Sequence, residues 1–416
     1  MVELNLIQTL AAGGLALFAG FFIVDKVKPL KRYNVPAAVV GGLLVAMLVT
    51  AARVTEVLVI SFDTSLQTAL NTAFFTSIGL SASVSLLRAG SGQALLFLAL
   101  ASAFAVVQSL IGIGVALIFG EHPLLGVLMS STALAGGPAT ALAFAPQFTA
   151  AGVPAAESLA IAAAMAGIVL GGLAGGPIAT FLLERHAVSP AARSAKAENP
   201  QRSASRESIV DARSTDGGQT SNADSDDDED GVRDTLKGIA ALLIAMALGG
   251  GLSAWFSSVG ITLPGYVGAM LVGAALRNLD DATGWVRIPL GVTSKTGMVC
   301  LTLFLTIALM NLKLWELAAL ALPLFVNLLL QVIAVALVCW WLVFRIMGRD
   351  YDAVVMTGGF TGFMLGTTAN AMAVMRTLVE RFGPAPRAFL VAPIVGAFFI
   401  DFSNAIIITT FLNLFG

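Results

Sequence analysis

Charge is scarce in this chain of 416 residues: 12% of it is Asp, Glu, Lys or Arg. A soluble globule carries about a quarter, so a water-borne fold is excluded. The 23 basic and 25 acidic residues nearly cancel, to −2, which leaves no footprint for a nucleic-acid partner. Cysteine is limited to Cys300 and Cys339, both inside apolar runs; no disulfide framework can be built from them. Histidine is limited to His122 and His186, with no further ligand at metal spacing, so a transition-metal centre is not expected. There is no G-x-x-x-x-G-K-S/T loop for ATP, and no cofactor is expected beyond a coupling ion.

What the chain has instead is apolar sequence, 57% of the total. Runs long enough, or nearly so, to cross roughly 30 Å of hydrocarbon fall near residues 5–24, 35–51, 65–87, 93–119, 122–148 and 158–183. Six more fall near 236–259, 263–276, 288–312, 317–344, 351–375 and 388–415. The first run lacks a basic leader and is expected to stay as a span rather than be cleaved. Between the two sets, residues 184–234 are Ser-, Ala- and Asp-rich and end in D-S-D-D-D-E-D from Asp224 to Asp230. Such a composition cannot bury a core and is expected to be a disordered acidic linker. The chain therefore divides into membrane repeats at 1–183 and 235–416.

The two sets overlay at a nearly fixed offset, the mark of an internal repeat. V-P-A-A-V-V-G-G from Val35 falls on L-P-G-Y-V-G-A-M from Leu263, Phe75 on Phe304, Gly120 on Gly348 and Gly152 on Gly383. In each half the fifth run is built like a loop. M-T-G-G-F-T-G-F-M-L-G-T-T-A-N spans Met356 to Asn370, and S-S-T-A-L-A-G-G-P-A-T spans Ser130 to Thr140. Glycine weakens a helix by roughly 1 kcal/mol, and Pro138 lacks an N–H. Irregular backbone inside hydrocarbon persists only where protein covers it or a cavity is lined by it, as in carriers that bind cargo at broken helices. Close packing through small residues would select the same types.

Loop charges set the orientation, because Lys and Arg concentrate in the cytoplasm. Lys26, Lys28, Lys31 and Arg32 place the first loop inside and the N-terminus outside. Arg88, Arg277, Arg287, Lys295, Arg345 and Arg349 fit inside if each fifth run enters and returns on one face. The expected fold is an all-α polytopic membrane protein of two inverted repeats. Each repeat has five transmembrane helices plus a re-entrant hairpin, in a cell (inner or plasma) membrane, with both termini outside and the linker cytoplasmic.

At these residues the chain resembles the bacterial sodium/glutamate symporter family. The resemblance rests on F-F-T-S-I-G-L-S-A-S-V-S-L-L-R-A-G from Phe74, V-L-G-G-L-A-G-G-P from Val169 and L-K-L-W-E-L-A-A-L-A-L-P from Leu312. It rests also on R-F-G-P-A-P-R-A-F-L-V-A-P-I-V-G-A-F-F-I-D-F-S-N-A from Arg381. It spares only the linker. It implies sodium-driven transport of L-glutamate, a homodimer, and an elevator-type movement of a core against a scaffold. Where the family carries Gly-Gly then His-Gly-Thr in the first hairpin, this chain has Gly136, Gly137, Pro138, Ala139 and Thr140.

The candidate substrate residues are Thr132, Gly136, Gly137, Thr140, Thr361, Gly362, Thr367, Thr368 and Asn370. Half-helix N-termini can hold a carboxylate without arginine. The candidate sodium ligands are Asp401, Asn404, Gly366, Ser77 and Thr306. A carboxylate halfway along a span is costly and functional by default, and its oxygens suit a hard cation. Ser77 and Thr306 read equally as packing hydroxyls, and Gln108 and Gln331 as interhelical hydrogen bonds. Arg376 and Arg381 are expected at headgroups, and Trp315, Trp340 and Trp341 as interfacial anchors. Two alternatives stand beside the symporter. One is the same fold with a different organic anion or amino acid as cargo. The other is an intramembrane enzyme using Asp401, which would need a second acid or a Ser/His pair that the sequence does not offer.

Overall fold

The apolar runs form helices because lipid offers the backbone no hydrogen bonds, so each segment must satisfy its own. The computed structural model describes residues 2–28, 30, 35–55, 60–85, 91–186, 224–258, 264–284, 286–313 and 320–416. The first half comprises α1 (Leu6–Lys26), α2 (Ala37–Val54), α3 (Gln67–Ser81), α4 (Ser91–Ile118), a broken pair α5 (Pro123–Val127, prolonged by a wide turn Leu128–Thr132) and α6 (Gly137–Ala150), then α7 (Ala156–Arg185). The second half repeats the order: α8 (Asp224–Ser258), α9 (Gly265–Thr283), α10 (Leu290–Met310), α11 (Ala321–Ile346), the broken pair α12 (Tyr351–Met364) and α13 (Thr368–Phe382), and a last helix. That helix runs as α14 (Pro386–Ile394), a wide turn Val395–Phe399, and α15 (Ile400–Phe415). Six of these helices are long and apolar enough to cross a bilayer, and the chain is a multi-pass membrane protein.

The helices sort into two bodies. The outer body packs α3 on α9 and α10, α2 on α1 and α10, and α8 on α9. Its helices approach closely; a Cβ at Gly79 of α3 would collide with the Met270 carbonyl of α9. The inner body gathers α4, both broken pairs, α7, α11 and the last helix around two large apolar cores. Partners cross between the two halves of the chain, so the halves interlock rather than sit side by side.

Both broken pairs double back. In the second, Gly362 faces Ala371, Gly359 faces Met375 and Gly358 faces Leu378, so residue numbers fall along one arm as they rise along the other. The Tyr351 hydroxyl closes the base by donating to the Gly383 carbonyl at 2.5 Å. In the first, a Cβ at Gly416 would lie 3.3 Å from Ala151 Cβ and 3.6 Å from Leu124 Cδ1. The start of one arm and the end of the other therefore share one end of the molecule. The last helix leaves the second hairpin's base, where Arg387 Nη2 donates to Asp350 Oδ1 at 2.6 Å. It reaches the first hairpin's base at Gly416, about 45 Å away at 1.5 Å per residue. The two bases thus lie at opposite ends of the protein and the tips meet between them.

The architecture is all-helical, with one small addition and one departure from the sequence reading. Val2–Leu4 pairs in parallel with Ile60–Phe62. The pair forms because extended chain entering α1 and α3 has free backbone groups, and the Asp63 N–H is tied to Thr9 Oγ1 at 3.0 Å. The acidic run Asp224–Asp230, expected in the linker, belongs to α8. The rest of the linker from 187 to 223, with Lys31, Arg32, Glu56, Arg88 and Trp315, lies outside the described residues.

Candidate functional site

The tips meet at Gly137 and Thr367: a Cβ at Gly137 would stand 2.9 Å from Thr367 Cγ2 and 3.6 Å from the Gly366 carbonyl oxygen. Gly137 has φ +68°, a conformation that glycine adopts without penalty, and so the chain turns here into α6. No side chain caps that helix, which leaves the Gly137 and Ala139 amides without intrahelical acceptors. Across the gap Thr367 caps α13, its Oγ1 accepting from Asn370 N at 3.4 Å, and the Thr368 and Ala369 amides are left in the same state. Two positive helix ends therefore converge on one point, where partial charges of about +0.5 each favour an anion.

The neighbouring polar groups brace this junction. Asn370 Nδ2 donates to Ile168 O of α7 at 3.0 Å and to Gly362 O at 3.4 Å, and Thr368 Oγ1 donates to Gly396 O at 3.1 Å in the wide turn of the last helix. In the first hairpin Ser130 departs from helical backbone, with φ −116° and ψ −114°. Asn327 Nδ2 donates to the Met129 carbonyl at 2.8 Å and Asn404 Nδ2 to that of Ser131 at 3.1 Å. Gln331 Nε2 reaches Ser130 Oγ at 3.1 Å and the Gln108 carbonyl at 2.9 Å, while Gln108 Nε2 donates to Met364 O at 2.8 Å. Each long helix thus holds the opposite half's hairpin. Four buried oxygens around this belt, those of Thr132 Oγ1, Gln108 Oε1, Gln331 Oε1 and Asn404 Oδ1, have no partner among the described residues.

Asp401 lies one turn before Asn404 on the last helix. No described Lys or Arg pairs with it. Gly136, Gly137, Thr140, Gly366, Thr367 and Thr368 gather at the tips, with Thr132, Gly362, Asn370 and Asn404 behind them. Thr361 is turned away: its Oγ1 donates to Thr357 O at 3.1 Å and meets Cys339 Sγ at 3.3 Å. Ser77 and Thr306 stand in the outer body. Ser77 Oγ donates to Phe74 O at 2.7 Å and packs on Gly297, and Thr306 Oγ1 donates to Thr302 O at 2.8 Å. Gln108 and Gln331 form the interhelical bonds expected of them, and Arg376 and Arg381 are exposed far from the tips. Sequence reasoning missed Ser130, Ser131 and Asn327. The signal for Asn327 was present, since it sits four residues before Gln331, on the same helical face of an otherwise apolar run.

Residues 2–384 match the Sodium/glutamate symporter family. The chain is 38% identical to the sodium/glutamate symporter of Escherichia coli (strain K12) over 415 residues, 100% of this chain and 99% of that one. It is 36% identical to the sodium/glutamate symporter of Haemophilus influenzae over 413 residues, 96% and 95% of the two chains. The chain belongs to the sodium/glutamate symporter family. Its relatives are named as transporters rather than enzymes, which assigns Asp401 no catalytic task.

Proposed function

We propose that the chain carries L-glutamate into the cell, coupled to sodium entry, by alternating access. The observation that carries this reading is the convergence of the N-termini of α6 and α13 at Gly137 and Thr367. Four amides without acceptors in their own helices there suit a substrate carboxylate, and no basic side chain is required. Sodium, the co-transported ion, would be held by Asp401 with Asn404 Oδ1, both on one face of the last helix; oxygen donors are what a hard cation takes. The inner body, carrying both hairpins, would move against the outer body in an elevator-like step, in a homodimer with the linker cytoplasmic and both termini outside.

Labelled L-glutamate uptake into proteoliposomes, with and without an inward sodium gradient, tests the proposal. Sodium-driven accumulation is expected; sodium-independent flux would overturn the coupling. A second reading keeps the mechanism and changes the cargo. It is favoured by Pro138, which removes one amide N–H from the first tip, and by the small Ala139 beside it. Uptake that other small carboxylates compete for and glutamate does not would select it.

A further inference from the structure

At the end of the molecule that carries the second hairpin's base, α7 and α11 run side by side in the same direction. Phe181 packs edge-on against Trp340 at 6.4 Å and His186 lies 4.7 Å from Phe344, so both helices finish at one face. Arg387, at the hairpin base, reaches the Met347 carbonyl just past the end of α11. Between the two helices is a groove of about 390 Å³, lined by Pro177 and Phe181 of α7 and by Ile333, Ala336, Leu337 and Trp340 of α11. It opens where Pro177, whose ring crowds the turn before it, lies across from Ala336, whose methyl fills little of the gap. Phe181, Ile333, Leu337 and Trp340 are half-exposed, so the groove is open to the bilayer along its side. From Ile333 to Trp340 it runs about 10 Å along the helix axis.

The groove itself is uncharged, and cations stand at its end. Arg185, one turn beyond Phe181, has its guanidinium 5.7 Å from the centre of the Trp340 ring, and that of Arg345 is 6.0 Å from the centre of the Trp341 ring. Both arginines are exposed, and neither makes an ion pair among the described residues. A guanidinium held by its face over an aromatic ring keeps its in-plane N–H groups free, and those match phosphate oxygens two at a time. A second groove of about 410 Å³ lies between α7 and α13 and shares Pro177 and Phe181 with the first. It carries one acid and one base, Glu184 and Arg381, so the excess positive charge falls over the first groove.

We infer that this face binds an anionic phospholipid. Its phosphate lies at Arg185 and Arg345, one acyl chain fills the groove between α7 and α11, and the other lies across Phe181 in the groove against α13. Tryptophans at the depth of the headgroups and arginines just beyond them are where such a lipid is met. The chain's own residues 187–223, which follow α7 directly, contain no Leu, Phe, Met or Trp with which to fill an apolar groove.

Native mass spectrometry of the purified full chain, titrated with phosphatidylglycerol or with phosphatidylcholine of the same acyl chains, tests the site. One phosphatidylglycerol is expected to bind about thirtyfold more tightly than phosphatidylcholine, as two surface arginines provide. Arg185→Gln and Arg345→Gln should each weaken phosphatidylglycerol about fivefold and leave phosphatidylcholine unchanged. Ala336→Phe fills the groove and keeps both arginines, so it should weaken both lipids by at least about tenfold. All three positions lie at the lipid-facing surface, and an unchanged melting temperature shows that each variant is folded.

Equal binding of the two lipids by the wild type overturns the inference, and so does a preference that survives the double arginine variant. Phosphatidylglycerol binding untouched by Ala336→Phe places the lipid elsewhere and overturns it too. Displacement by glycerophosphoglycerol, the headgroup without chains, at the same concentration as the lipid would mean a plain anion site and not a lipid one. A wild type that takes up neither lipid, as a groove closed by residues 187–223 would require, overturns it as well. Lipid binding is read without transport, so the outcome is decided whatever the cargo proves to be.

Discussion

Asn404 on the last helix donates a hydrogen bond of 3.1 Å to the carbonyl of Ser131, inside the first hairpin. One end of its amide holds the hairpin while the other, Oδ1, is buried without a partner among the described residues. Replacing Asn404 by Leu removes this donor, but the Ser131 carbonyl still accepts from the Ala135 and Gly136 amides at 3.1 and 3.0 Å, so the loss is one buried hydrogen bond, about 1 kcal/mol. A melting temperature in detergent lowered by about one to two degrees is expected; no change would show that the Ala135 and Gly136 amides satisfy the carbonyl by themselves.

Gly137 tolerates no side chain. Its φ of +68° costs an L-residue roughly 1–2 kcal/mol, and the added methyl meets Thr367. Gly137→Ala should cut uptake at least about tenfold while the protein remains monodisperse. Uptake within twofold of the wild type would remove the tips from the transport path.

Asp401 is the carboxylate proposed for sodium. Asp401→Asn keeps the shape and deletes the charge, so the sodium concentration for half-maximal uptake should rise by at least about tenfold, with a smaller change in glutamate half-saturation. Unchanged sodium dependence would leave Asp401 without a transport role.

Pro154 and Pro384 are exposed residues just past the two hairpin bases. With single cysteines at these positions in a chain lacking Cys300 and Cys339, an impermeant maleimide should label Pro154→Cys on intact cells. Pro384→Cys should react only after the membrane is opened. Labelling of both from one side would contradict hairpins that enter from opposite faces.

Much of this arrangement is legible in the sequence because the bilayer sets a minimum length for every apolar run. The runs at 93–119 and 158–183, for example, are α4 and α7 with ends displaced by a few residues. Gly136, Gly137 and Gly366 were readable because a glycine cluster at that depth has few structural uses. Ser77 and Thr306 were not, since a hydroxyl's role depends on which neighbour its helix face meets, and Gly297 is 220 residues away from Ser77 in sequence. The acidic run Asp224–Asp230 looked like linker because composition reports solubility, not whether an adjoining apolar helix extends into it.

The crosswise grip of Gln108 on Met364 and of Gln331 on Ser130 bears on how the protein is made. A ribosome that has completed α7 has delivered the first hairpin into lipid before Asn327, Gln331 and Asn404 exist. Until they emerge, Ser130 and its neighbours have to be sheltered by water or by the insertion machinery. Assembly is therefore finished only when the last helix arrives, and translation halted before Asn404 leaves a product that quality-control proteases should recognise as incomplete.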